Sequence, residues 1–146
     1  MSIAARYGIL VAVLAIVVAM LVPYPSLVVP PWRLQVVDPD GRPMPAIKVR
    51  QHWQNYSFES EGHEIDARTD AAGWVAFPAR AASKSALFRI IVPVGNGVLG
   101  GVHASFGPSS MIQAWNNEYE GWVHYKAQGQ LPDRLVLSKR QLPELR

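Results

Sequence analysis

The chain has 146 residues, with 14 basic and 11 acidic side chains, a net charge of +3 and no cysteine. That length suits one domain with an appendage, and the lack of cysteine excludes a disulfide framework, a thiolate metal site and a cysteine nucleophile. Charges of alternating sign leave no basic stripe for nucleic acid, and an apolar fraction of 49% is too high for a disordered chain.

Within the first 32 residues only Arg6 is charged. Ile3 to Val22 is almost wholly aliphatic, and at 1.5 Å rise per residue it reaches about 30 Å, the thickness of a bilayer's hydrocarbon core. Residues 1–22 are therefore expected to form a transmembrane helix. Pro23 and Pro25 end it, because proline supplies no backbone donor and restricts its predecessor. The nearest small-x-small cleavage site, Val17-Val18-Ala19, lies inside the apolar run, which favours a retained signal-anchor over a cleaved signal peptide. Gly8, Ala12, Ala15 and Ala19 stand at small-xxx-small spacing, the pattern that lets membrane helices approach closely. Arg6 lies on the amino-terminal side, so the amino terminus is expected in the cytoplasm and the remainder in the periplasm or outside the cell.

Residues 23–32 read as a proline-rich linker, with Tyr24 and Trp32 as interfacial anchors at the headgroup zone. Beyond it the text becomes short strands separated by turns. Arg33 to Val37 alternates and Asp38-Pro39-Asp40-Gly41 turns the chain. Ile47 to Trp53 alternates again, and Glu64–Thr69 and Gly73–Phe77 flank a second turn at Asp70. Leu87–Val94 reads as the most apolar strand, with Phe88, Ile90, Val92 and Val94 on one face and a Gly95-Asn96-Gly97 turn after it. Val98–Phe106, Met111–Trp115, Gly121–Lys126 and Arg134–Leu137 complete the set. The expected fold is all-β: an Ig-like or prealbumin-like antiparallel sandwich of about seven to nine strands over residues 33–138, behind one transmembrane helix. Residues 139–146 read as a basic tail.

Two stretches carry a resemblance. The run from Val36 to Val49, through Asp38-Pro39-Asp40-Gly41-Arg42-Pro43, resembles the opening of carboxypeptidase regulatory-like domains. Thr69-Asp70-Ala71-Ala72-Gly73-Trp74-Val75-Ala76-Phe77 resembles the Thr-Asp-x-x-Gly hairpin of the same family. The resemblance covers about residues 33–94 and implies a transthyretin-like (prealbumin-like) sandwich, usually without catalytic activity.

Candidate chemistry is sparse. His52, His63, His103 and His124 form no short ligand spacing, and His52, His103 and His124 fall opposite the apolar phase of their strands. No Gly-x-Ser-x-Gly elbow is present. Enzymes of the resembled architecture offer little help: the chain ends Leu142-Pro143-Glu144-Leu145-Arg146, without the Tyr-Arg-Gly-Ser ending of hydroxyisourate hydrolases. Tyr119, His124 and Tyr125 lack the second nearby histidine of an intradiol dioxygenase iron site. No catalytic residue, metal or cofactor is expected.

Aromatics are the stronger signal. Trp53, Tyr56, Trp115, Tyr119 and Trp122 form the candidate interaction surface, since Trp53 shares a phase with Ile47 and Val49 whereas Trp122 runs out of phase with Val123 and Tyr125. The expected role is a non-catalytic, single-span accessory or scaffolding subunit of a larger membrane complex, respiratory or photosynthetic assemblies being the analogues. Its expected partners are the membrane and other membrane-protein subunits. The alternative is an anchored module that binds carbohydrate or peptide in the cell envelope.

Overall fold

A computed structural model describes residues 2–100, 105–126 and 129–140. The apolar leader forms α1 (Ile3–Leu21), whose first turn is capped by Ser2: its hydroxyl accepts the Ala5 amide at 3.3 Å. α1 is long and apolar enough to cross a membrane, and none of its residues is buried against the rest of the chain.

The expected linker is structured. Pro23–Val29 forms β1 and pairs antiparallel with β6 (Arg80–Ser85), from Pro23 opposite Ser85 to Val29 opposite Arg80. Two prolines are tolerated because this is a two-stranded ribbon with free edges. Its far end sinks Val28 and Val29 into the core.

Two larger sheets face each other across that core. One has the order β5-β2-β9, from Trp74–Phe77, Trp32–Val37 and Arg134–Val136. The other has the order β10-β8-β7-β3-β4, from Ser138–Lys139, Tyr119–Lys126, Pro108–Trp115, Lys48–Asn55 and His63–Arg68. Leu34, Val36, Phe77 and Leu135 from the first sheet meet Val49, Ile112 and Ala114 from the second. The all-β expectation holds, with ten strands among the described residues. β9 joins β2 in parallel, the one departure from antiparallel pairing among them.

Both aspartate turns form as their chemistry dictates. Asp38 Oδ1 accepts the amides of Asp40 and Arg42, and Asp70 Oδ1 accepts those of Ala72 and Trp74. Gly41 and Gly73 take the positive φ that each turn needs, 82° and 77°. The turns also touch: the Val36 amide donates to the Gly73 carbonyl, and a Cβ on Gly73 would lie 2.8 Å from the Val36 carbonyl oxygen. Buried Thr69 ties the second turn to the first, its hydroxyl accepting the Ile47 amide at 2.9 Å and donating to the Met44 carbonyl at 2.7 Å.

Further expectations need correction. Trp32 is no interfacial anchor: it is 1% exposed, donates its indole N–H to the Pro132 carbonyl at 2.8 Å and packs edge-on against Tyr125. Leu87–Val94 is no strand, and Gly95-Asn96-Gly97 is no hairpin turn; both lie in a helix, α2 (Ala86–Gly100). The Ser85 hydroxyl accepts the Phe88 amide at its start, and Leu87, Ile91, Val94 and Val98 recur at helical spacing. Aliphatic runs of this length suit either period, and tertiary context chose the helix. The expected strand from Val98 to Phe106 is likewise absent over its described part: Val98 lies in α2, and residues 105–106 lie outside any strand. His103 and tail residues 141–146 lie outside the described residues.

Candidate interaction face

Strand pairing fixes which side chains share the outward face of the five-stranded sheet. Lys48 stands opposite both Trp115 and Arg68, and Trp115 opposite Glu120. In the next row Asp66, Arg50, Gln113 and Trp122 lie side by side, and in the third Glu64, His52, Met111 and His124. Alternation sends Val49, Gln51, Ile112 and Ala114 to the core and leaves these rows outside. Trp115 and Trp122 are diagonal neighbours on this face, close enough for large side chains to share a surface. Trp122 is 58% exposed.

A set of paired charges borders the Trp115 indole. Arg50 makes a bidentate pair with Asp66, at 2.6 and 3.0 Å, and reaches Glu64 at 3.2 Å. Lys48 joins Asp66 at 3.1 Å. Hydrogen bonds from Arg50 and then Lys48 hold the Asp66 carboxyl well below the usual carboxylate range, and the bond to Asp66 raises Arg50 in turn. Lys48 also lies 5.0 Å from the centre of the Trp115 ring, with Arg50 at 5.7 Å. The indole edge and the charged row thus form one pre-ordered patch. It supplies aromatic contact area rimmed by charge, the composition of recognition surfaces.

The remaining aromatic candidates lie elsewhere. Trp53 points inward, half-buried against the core, with the Arg80 guanidinium 4.3 Å over its ring and His63 stacked at 5.4 Å. It is a structural filler between a cation and an imidazole, and it does not share the Trp122 face. Tyr119 is also turned toward the core, its amide donating to Asn116 Oδ1. Tyr56 lines a shallow groove with Ser105, Phe106, Pro108, Ser109 and Lys126 at the loop end of the sheet. Of the five, Trp115 and Trp122 share the outward face of the five-stranded sheet.

At the α1 end of β1, Tyr24 is half-exposed and carries the Arg89 guanidinium 4.0 Å from its ring centre. Gly8, Ala12, Ala15 and Ala19 form one stripe on α1, exposed among the described residues. His52 is half-buried and His124 exposed on the outward face. His63 lies 3.1 Å from Glu59. Among the described residues no group of three His, Asp or Glu side chains is placed to hold a metal ion.

Sequence reasoning missed the charged row, although part of its signal was present: Lys48, Arg50 and His52 alternate with buried Val49 and Gln51, whereas Glu64, Asp66 and Arg68 lie on a strand with no buried residue. It also missed Arg80, whose Nε donates to buried Gln51 at 2.9 Å beneath Trp53. No protein-family model matches the chain, and a search of curated proteins finds no relative.

Proposed function

We propose that this protein is a non-catalytic accessory subunit of a membrane complex, held by α1 and gripping its partners outside the cytoplasm through the Trp115–Trp122 face. The observation that carries this reading is the indole of Trp122, 58% exposed among the described residues, on the same sheet face as Trp115 and the Arg50–Asp66–Lys48 charges. Such a surface gains by desolvation against a folded partner, and its fixed charges select which partner. The exposed small-residue stripe of α1 supplies a second attachment among transmembrane helices. Multispanning respiratory or photosynthetic assemblies are the hosts this design fits. Arg6 on the amino-terminal flank supports a cytoplasmic amino terminus and an extracytoplasmic sandwich. The interlocked aspartate turns support kinship with carboxypeptidase regulatory-like, transthyretin-like domains.

Mild solubilisation of membranes, capture of the tagged full-length chain and mass spectrometry of what accompanies it test the reading. A stoichiometric set of multispanning proteins, released by Trp122→Ala, is the expected result. A chain that purifies alone overturns it. Retention of envelope polysaccharide by the solitary chain, lost on the same substitution, would establish the carbohydrate-binding alternative, which the same exposed indole serves.

A further inference from the structure

α2 is 15 residues long and leaves a row of large apolar side chains in solvent. Leu87, Ile91, Val94 and Val98 follow one another at i, i+4, i+7 and i+11, so they lie along one side of the helix. Val94 is 62% exposed and Val98 78%. The opposite side is committed to the β1–β6 ribbon. There Arg89 donates to the Ser26 hydroxyl at 2.6 Å, the Tyr24 carbonyl at 2.7 Å and the Lys84 carbonyl at 3.1 Å, and lies over the Phe58 ring at 4.5 Å. Three hydrogen bonds from one guanidinium fix the rotation of the first turn, and with it the outward direction of the apolar row.

The ribbon also fixes the level at which α2 begins. Pro23 pairs with Ser85, α1 ends at Leu21 and α2 starts at Ala86. The end of one helix and the start of the other are therefore neighbours, and the two helices touch. If α1 is embedded, the beginning of α2 cannot be far from the lipid headgroups.

We infer that α2 is a second membrane element, an interfacial helix that lays its Leu87–Ile91–Val94–Val98 side into the bilayer beside the exit of α1. This inference rests on reading α1 as a membrane span. At 1.5 Å per residue α2 reaches about 22 Å, short of the roughly 30 Å needed to cross, and Pro93 interrupts its hydrogen bonding. An amphipathic helix of that length lies in the interface plane. Lys84, whose ammonium sits 5.3 Å over the Phe88 ring, stands where anionic headgroups attract it. The sandwich is then held by two lipid contacts at the same end of the β1–β6 ribbon, which fixes its tilt over the membrane and aims the Trp122 face.

The cysteine-free chain makes a site-specific test direct. Full-length Val13→Cys, Ile91→Cys, Val94→Cys and Glu61→Cys variants, each at an exposed position, are labelled with an environment-sensitive fluorophore. They are placed in nanodiscs of phosphatidylcholine and phosphatidylglycerol carrying nitroxide lipids at shallow or deep positions. The expected result is quenching at 91 and 94 by the shallow nitroxide, roughly twofold or more above that at 61, since such helices sink about 5–10 Å. Label 13 should respond to the deep nitroxide. Quenching at 13 with labels 91 and 94 behaving like 61 overturns the inference and leaves the span intact. Quenching at 91 and 94 without 13 overturns the span and, with it, the placement of α2 beside the exit of α1. No quenching at any of the three overturns both.

Discussion

In the sandwich, Trp32, Leu34 and Val36 are closed off by strands that arrive from distant parts of the chain; on α2, Ile91, Val94 and Val98 are as apolar and meet solvent. The two regions share a composition and differ in whether the chain itself provides the cover. Where it does, apolar area is removed from water on folding and becomes stability. Where it does not, the same side chains stay in water and contribute little to the fold. The β1–β6 ribbon joins the two regimes, since its far end buries Val28 and Val29 while its near end carries the exposed Tyr24 and the foot of both helices.

The sharpest way to break this contrast is Trp32→Ala, which removes the largest fully buried side chain and orphans the Pro132 carbonyl. Thermal unfolding of the full-length protein in nanodiscs should show a loss of about 3–5 kcal/mol, the range for truncating a buried large aromatic. A loss below about 1 kcal/mol would mean that Trp32 is not sealed in the core. Next in size is Gly73→Ala. Positive φ alone costs an L-residue about 1–2 kcal/mol, and at Gly73 the new methyl would also press on the Val36 carbonyl. Gly41→Ala bears the same backbone strain with nothing within 4 Å of the added carbon, so Gly73→Ala should be the more damaging of the pair. Equal losses would mean that the two turns do not interlock.

A smaller effect is expected from acid. Asp66 is held below its ordinary range in the folded protein by Arg50 and Lys48, so the folded state binds its proton less readily than the unfolded chain, in which Asp titrates near about 3.9. The stability this confers is present above that ordinary value and is lost as pH falls through the folded one. Melting temperature plotted against pH below about 4 should therefore fall less steeply in Asp66→Asn than in the parent protein. Identical slopes would show that the exposed pair is screened to nothing. Smallest of all is Trp122→Ala, which should leave stability within about 0.5 kcal/mol while abolishing partner retention. A large stability loss there would transfer Trp122 from the recognition face to the core.

Much of this was legible in the chain. The helix Ile3–Leu21, the alternating strands around Val36, Val49 and Val75, and the two aspartate turns follow from hydropathy, period-2 patterning and side chains that bond their own backbone. All are local rules, carried by residues within a turn or two of each other. The phase of Trp122 against Val123 and Tyr125 put it on a different face from Trp53, but which of the two faces is exposed was decided by the fold. What local pattern could not decide was which partner a segment would find. Pro23–Val29 reads as a linker until Arg80–Ser85 arrives to pair with it. Trp32 resembles an interfacial anchor until the Pro132 carbonyl and the Tyr125 ring enclose it. Leu87–Val94 fits either period, and the Ser85 cap together with Arg89's bonds to β1 selected the helix. The row that joins Asp66, Arg50 and Trp122 exists only once two hairpin registers and the long-range β3–β7 pairing between them are set. The sequence by itself determined where apolar length, alternation and turn chemistry place helix and strand, because those depend on neighbours in the chain. Only the tertiary structure decided which surfaces are covered and which remain open, because burial is settled by contacts between residues tens of positions apart.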